Sequence, residues 1–243
     1  MKRSAIALLL SIVAVHAETP PKAVPVPEEP AVHAPVLAPD SGTPARVLSH
    51  SGQFAVSGGD PAVRATVAML AESTKEELLK LSELKDGWKT LVSIVLHGQP
   101  GDPLPPRSVA FNLFSNEAGY SLRLDLHLAR GIEHERFQRA VTKALLIEQA
   151  LRKLPADSKD SALLVPPWLI EGLREAVAWQ QKRSDRRLYD ALFRHGGVYK
   201  LDELLALTEA GYDDLDGAMR AAFRVASGAL VMALLEQPSG KEG

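Results

Sequence analysis

Leucines and polar residues alternate strictly along Tyr120–Ala129, with His127 among the polar positions. A period of two is typical of a β-strand that has one buried side and one side facing solvent. Two strand-like runs precede it, at Thr90–Gly98 and Ser108–Asn116, and the first of them is apolar and β-branched. The pattern therefore predicts three strands in the middle of the chain, the last of them antiparallel with one wet face.

A hairpin and a helix are predicted before these strands. Two short alternating runs, Arg46–His50 and Gln53–Ser57, flank a Ser-Gly pair that is typical of a tight turn. Asp60 followed by Pro61 predicts an N-cap and the first residue of a helix. Apolar residues at helical spacing continue from there to a glycine stop near Gly87.

The remainder of the chain has the periodicity of helices. The pattern predicts helices over Ile132–Leu154, Pro167–Arg183 and Asp185–His195, and a final helix from about Leu215 to Leu235. Strands that come first and helices that follow predict an α+β domain. We expect a small, mostly antiparallel sheet with one early helix, followed by a helical half.

The first residues have the pattern of a secretory signal peptide. Lys2 and Arg3 precede the apolar run Ala5–Val15, and small residues lead up to Ala17. A bilayer span takes roughly 20 residues, so this run is too short to be one. We expect residues 1–17 to be removed, and the protein to be periplasmic or secreted, with no membrane insertion afterwards.

A proline-rich linker is predicted between the signal peptide and the folded domain. Residues 18–45 hold eight of the 17 prolines, which favour an extended, unpacked backbone. Residues 46–243 then form the folded domain. The chain has no cysteine, and 46% of its residues are hydrophobic, so this domain depends on its core and not on disulfides.

Charge excludes one class of partner. The chain has 28 basic and 30 acidic side chains, and no basic block follows residue 17. Nucleic-acid binding requires a concentrated positive surface, which this composition does not provide. We therefore expect no nucleic-acid partner.

One short segment carries a family resemblance. Trp168–Gly172 reads WLIEG, which resembles the W-L-x-E-G segment of peptidase-MA-like domains, a branch of the gluzincins. The order of signal peptide, small sheet, motif helix, WLxEG helix and terminal helix is also similar over most of residues 46–243. The resemblance implies a zincin-like fold, with Glu171 at the place of the third zinc ligand. Trp168, Glu171 and His127 are the expected cleft residues.

The zinc-binding H-E-x-x-H motif is missing. Such a site needs two imidazoles one helical turn apart and a glutamate beside the first. Alignment at Lys143–Ile147 puts lysine and isoleucine in place of the histidines; alignment at Ile147–Leu151 keeps only Glu148, as the would-be base. Aliphatic side chains have no donor atoms, so we expect no metal site and no bound zinc. The resemblance therefore implies a degenerate metallopeptidase.

Two glutamates and one near-match remain as candidates. Glu148 falls on the apolar stripe of its helix, either as a catalytic carboxylic acid in a cleft or as a buried, hydrogen-bonded structural group. Glu171 lies opposite the apolar face of its helix, either in an exposed pair with Arg174 or as a remnant lining the cleft. His134–Gln138 reads HERFQ, a near-match with glutamine last, and we expect it to be a solvated first helical turn.

Three functions are compatible with these residues. The first is a non-catalytic, gluzincin-like scaffold whose former substrate cleft holds a peptide or an envelope protein. The second is a hydrolase or peptidase with an unconventional carboxylate or metal site, built from Glu148 and Glu171 with His127 or His134. The third is a structural envelope protein whose cleft is filled by its own side chains. Ile147 and Leu151 stand at the aligned histidine positions, and their aliphatic side chains suit a dry, repacked interior better than a wet metal site. They therefore favour the third function over the second.

Overall fold

The computed structural model describes residues 45–83, 85–116, 119–153, 164–196 and 199–237. The predicted signal peptide and all but the last residue of the predicted linker lie outside this range. The predicted α+β class is confirmed, because the described residues form a five-stranded sheet and seven helices.

The five strands agree with the predicted runs. The hairpin is confirmed, and each of the three later strands lies within one residue of its predicted run or is slightly shorter. The strands are β1 (Arg46–Leu48), β2 (Phe54–Ser57), β3 (Val92–His97), β4 (Val109–Asn116) and β5 (Gly119–His127).

The helices include two that the periodicity did not predict. Both are short, and they lie between the predicted helix Asp185–His195 and the final helix. The helices are α1 (Pro61–Ser82), α2 (His134–Lys153), α3 (Pro167–Gln180), α4 (Arg186–Arg194), α5 (Leu201–Ala206), α6 (Glu209–Asp214) and α7 (Gly217–Glu236).

The start of α1 is capped as predicted, and its end comes earlier. The Asp60 carboxylate accepts hydrogen bonds from the backbone N–H groups of Ala62 and Val63, at 2.9 and 3.0 Å. The helix stops at Ser82 because Glu83 adopts a left-handed backbone conformation, with φ 52°. A glycine is therefore not the residue that ends this helix.

The sheet is mixed, not mostly antiparallel. Its order is β1-β2-β3-β5-β4, in which the outer pairs β1–β2 and β5–β4 are antiparallel and the inner pairs are parallel. The connection from β2 to β3 contains the 22-residue helix α1, which returns the chain to the same end of the sheet. Strand β4 folds back on the far side of β5 and becomes an edge strand.

One face of the sheet carries the core. The four leucines of the alternating run are buried together with Val92, Ile94 and Leu96 of β3, as the alternation predicts. The helices pack on this face, and the intervening polar residues lie on the other. The helical half of the chain therefore covers one face of the sheet, and this face includes the edge strand β4.

Helix α7 packs closely along α3. A Cβ atom at Gly172 would lie 2.5 Å from Val231 Cγ2 and 2.6 Å from the Ser227 carbonyl oxygen. The last residue of the WLIEG segment is thus required by packing. By length and composition, α7 is the single helix in the described part of the chain that would suit a membrane span. In this structure it packs along α3, with Phe223, Val225 and Val231 among its buried residues.

Candidate functional site: a cation-rich cleft beside the edge strand

A cleft of about 760 Å³ lies between the start of β4 and four helices. Its sheet side is formed by residues 106–111, and its helical side comes from α2, α3, α6 and α7. We call it the edge-strand cleft. Its helical lining includes Arg139, Lys143, Glu171, Glu209 and Tyr212.

Glu171 is the buried carboxylate of this cleft, with 1% of its side chain exposed. Arg139 Nε donates a hydrogen bond to its Oε1 at 2.8 Å, and Arg174 Nη1 donates to its Oε2 at 3.0 Å. Tyr212 is a further hydrogen-bond partner of Glu171, and burial followed by the charge of Glu171 raises the pKa of Tyr212 to about 12. Tyr212 is therefore a neutral phenol at neutral pH.

The predicted pair between Glu171 and Arg174 is confirmed, but its predicted exposure is wrong. The helical-wheel argument assumed that α3 is covered on one face. In the structure α3 packs against α1, α2 and α7, which leaves it almost no solvent face. Glu171 is therefore a buried residue that lines the cleft.

Arg139 joins Glu171 to a second carboxylate. Its Nη1 and Nη2 donate to the two Glu209 oxygens at 2.6 and 3.0 Å, and its guanidinium lies 4.7 Å from the centre of the Tyr212 ring. Lys143 Nζ lies 3.6 Å from the same Glu209 carboxylate. Burial opposes the charge of Arg139, but Glu209 and Glu171 outweigh it and raise the pKa of Arg139.

The pKa of Glu209 moves in the opposite direction. Burial alone would raise it, but the hydrogen bonds and charge of Arg139, with a smaller contribution from Lys143, lower it below its ordinary value. The ionised form of Glu209 is therefore stabilised by folding.

The face of α2 that lines the cleft with Glu171 carries two cations, Arg139 and Lys143. Arg139 and Lys143 are four residues apart, so they lie one helical turn apart on the same face. The segment between them reads RAVTK, and Ala140 also lines the cleft. If the H-E-x-x-H spacing is placed by this geometry, arginine and lysine take the two histidine positions and alanine takes the glutamate position.

Of the residues that the two alignments put at the ligand positions, Lys143 lines the cleft and the aliphatic ones do not. Ile147 lies in the hydrophobic core with 2% exposure, and Leu151 packs against that core. Lys143 precedes Glu171 by 28 residues.

Glu148 is a structural carboxylate and is not part of the cleft. It is fully buried, and its Oε1 accepts hydrogen bonds from the backbone N–H groups of Lys89 and Thr90, both at 3.1 Å. Its Oε2 lies 3.1 Å from Arg152 Nε. These contacts hold the segment that leads into β3 against α2.

Substitutions at Glu148 should distinguish what its hydrogen bonds contribute to stability from what its charge contributes. Glu148→Gln keeps an oxygen for the two N–H groups, so we expect a loss of about 1 kcal/mol or less in the free energy of unfolding. Glu148→Leu leaves both N–H groups without a buried acceptor, and we expect it to cost about 2–4 kcal/mol. Urea unfolding of both variants measures the difference. Equal losses would contradict this account of Glu148.

Two of the three expected cleft residues lie elsewhere. His127 lies on the sheet face opposite the helices, where its ring stacks on His97 at 5.0 Å, and His97 Nε2 lies 2.6 Å from Asp125 Oδ1. Trp168 is 3% exposed and belongs to the core. Of the three, Glu171 lines the cleft.

His134 opens α2 and is exposed, as its position in the HERFQ near-match predicts. The neighbouring Glu135 lies at the rim of the cleft, 4.0 Å from Arg224. These contacts are those of a solvated first turn.

Sequence reasoning missed the residues that give the cleft its charge. Arg139 and Lys143 left a signal, since two cations at the spacing of a helical turn are unusual on a helix with many buried positions. Glu209 and Tyr212 left none, because they come from the short helix α6 and approach the site only through the tertiary fold.

The donor set in the cleft does not fit zinc. Guanidinium and ammonium groups are positively charged at neutral pH and offer no free electron pair to a metal. Both oxygens of Glu171 are engaged by arginines. Among the described ranges, no group of three or more histidine, cysteine, aspartate or glutamate side chains is arranged to hold a metal ion.

Comparison with protein-family models, with curated proteins and with solved structures gave no match to this chain. Arguments about function therefore depend on the residues and geometry described above.

Proposed function

We propose that this chain is an exported, non-catalytic, gluzincin-like scaffold that binds an extended peptide in the edge-strand cleft. The observation that carries the proposal is the identity of the residues facing Glu171. Arg139 and Lys143 take the positions where a metallopeptidase would place its ligands, and Ala140 has no carboxylate to activate water. Such a cleft holds a peptide but has, at these positions, no metal ligand and no carboxylate with which to hydrolyse it.

The edge strand supports peptide binding. In an antiparallel pair, successive residues direct their backbone N–H and C=O groups alternately toward and away from the partner strand. The Ser108 carbonyl accepts from His127 N–H at 2.8 Å, so Ala110 and Asn112 also face β5. Val109 and Phe111 then direct their backbone groups toward the free edge, where an extended peptide can add a strand.

The alternative of a hydrolase finds little support in the residues predicted for it. The Glu171 carboxylate is held by two arginines, and His127 lies on the other face of the sheet. Elsewhere, Ser51 Oγ lies 2.8 Å from Lys75 Nζ, but this lysine is buried in ion pairs with Asp86 at 2.6 Å and Glu72 at 3.7 Å. A lysine held by two carboxylates is a poor acceptor for a serine proton.

Two other parts of the proposal depend on the sequence. Export to the periplasm or the medium depends on the signal-peptide pattern of residues 1–17. A peptide or an envelope protein, not a nucleic acid, is the expected partner, because the chain has a formal net charge of −2.

Strand addition can be tested with peptides selected against the full chain from a random linear library displayed on phage. The tightest peptide is made in two N-methylated forms, one methylated at odd and one at even positions. We expect one form to lose about tenfold or more in affinity by fluorescence anisotropy, while the other binds normally, because only alternate N–H groups face β4.

A matched change on the protein is Val109→Pro, which removes one outward N–H group and is tolerated at a sheet edge. It should weaken binding of the unmethylated peptide in the same assay, with circular dichroism confirming the fold. Equal binding by both methylated forms would contradict strand addition to β4.

A further inference from the structure

The edge-strand cleft is more positive than the chain around it. Seven cationic and four acidic side chains line it, an excess of three positive charges. The whole chain has a formal net charge of −2. A concave surface with one sign of charge focuses its field and attracts ligands of the opposite sign.

Several of the cations have weak partners of their own. Arg136 is 58% exposed, and its carboxylate partner is Glu133 at 3.4 Å. Lys143 has Glu209 at 3.6 Å, longer than a good hydrogen bond. A carboxylate that enters the cleft would therefore meet donors that are not fully satisfied by the protein.

Glu209 marks the position that such a carboxylate would take. Its two oxygens accept both terminal nitrogens of Arg139, the geometry with which arginine binds a carboxylate ligand. Its side chain is 38% exposed, and α6, which carries it, has no fully buried residue. Rotation of one side chain toward solvent is enough to free Arg139 and Lys143 for another carboxylate.

The geometry of an added strand gives the spacing of the ligand's acidic groups. Side chains of a strand alternate between the two faces of the sheet. Every second residue of a peptide beside β4 would point toward the helical side, where Arg139, Lys143 and Arg220 line the cleft. The other residues would point to the open face of the sheet.

We propose that the edge-strand cleft selects acidic peptides, and that a ligand carboxylate displaces Glu209 from Arg139 and Lys143. This inference depends on the proposed function, since it names the class of peptide that adds to β4. Glu209 then acts as an internal competitor that keeps the cations paired while the cleft is empty of peptide.

The test uses three labelled peptides of equal length that alternate valine with glutamate, glutamine or lysine. Fluorescence anisotropy with the full chain should give the glutamate peptide about tenfold or more higher affinity than the glutamine peptide, and weaker binding still for lysine. Lys143→Gln should reduce the preference for glutamate over glutamine several-fold, and thermal unfolding confirms that this variant is folded.

Displacement is tested by Glu209→Gln, which removes the competing carboxylate. It should strengthen binding of the glutamate peptide by about threefold or more, because Arg139 and Lys143 no longer need to be freed. The matched control is Glu135→Gln, which removes one negative charge from the rim of the cleft without touching Arg139. It should have a smaller effect.

The outcomes distinguish this inference from the function on which it depends. Equal affinities for the three peptides would overturn selection for acidic ligands and leave strand addition intact. Equal gains from Glu209→Gln and Glu135→Gln would overturn displacement in favour of overall charge. Absence of binding by any of the three peptides and by any library peptide would contradict the proposed function itself.

Discussion

Arg139→Gln is expected to lower the free energy of unfolding by about 3–5 kcal/mol. The Arg139 side chain is 18% exposed, and its guanidinium joins Glu171 to Glu209. Its removal leaves Glu171, which is 1% exposed, with Arg174 as its remaining ion-pair partner. A buried carboxylate that loses a charged partner has a high desolvation cost. Urea unfolding at neutral pH measures the loss.

Arg136→Gln is the matched control, one turn earlier on the same helix. Arg136 is 58% exposed and its ion pair with Glu133 is at 3.4 Å, so we expect a loss below about 1 kcal/mol. Equal losses at the two positions would show that the cluster around Glu171 does not depend on Arg139.

The natural chain and Arg139→Gln should also differ in how their stability depends on pH. The pKa of Glu209 is lowered by Arg139 in the folded chain, although burial acts against this. A carboxylate with a lowered folded-state pKa contributes stability above its unfolded pKa, and this contribution is lost as pH falls through the folded value. The natural chain should therefore lose stability on acidification more steeply than Arg139→Gln does between neutral and acidic pH. Parallel curves would contradict this assignment.

The triple variant Arg139→His, Ala140→Glu, Lys143→His is expected to bind about one zinc ion per chain. The substitutions place two imidazoles one helical turn apart, facing Glu171 on the neighbouring helix, and this is the ligand arrangement that zinc takes in such sites. The zinc dication would also replace the two positive charges that Arg139 and Lys143 place beside Glu171 and Glu209. Elemental analysis after gel filtration measures the metal content.

A second readout keeps this test informative if the metal-free variant is unstable. Zinc that binds the folded state raises the melting temperature in proportion to the logarithm of its free concentration. The control adds Glu171→Gln to the three substitutions, and it should weaken zinc binding at least tenfold because a carboxylate ligand is lost. A folded triple variant without zinc would show that α2 and α3 do not present these positions to a common point.

The sequence predicted local structure well where a single element determines the pattern. Alternating leucines can be buried together only on one face of a strand, so β5 and its buried side followed directly. Asp60 and Pro61 likewise specify the start of a helix without reference to the rest of the fold. The α+β class followed from the order of the elements.

The parts that failed depend on how elements pack together. The parallel pairing of β3 with β5 arises because β4 passes to the outside of the sheet, which no local pattern in β3 or β5 records. The burial of Glu171 requires α1, α2 and α7 to surround α3. The partnership of Arg139 with Glu209 spans 70 residues, and it depends on the packing of α6 beside α2.

The proposed function requires cations, and no metal ion, beside Glu171. A zinc ion and the Arg139 guanidinium cannot both occupy the space beside Glu171, since their charges repel and they compete for the same oxygens. The most direct measurement is elemental analysis of the full natural chain, purified without chelators and dialysed against zinc, beside the triple variant. We predict no zinc in the natural chain above the level of the buffer. Near-stoichiometric zinc there would contradict the account and restore a metal-dependent hydrolase as the leading function.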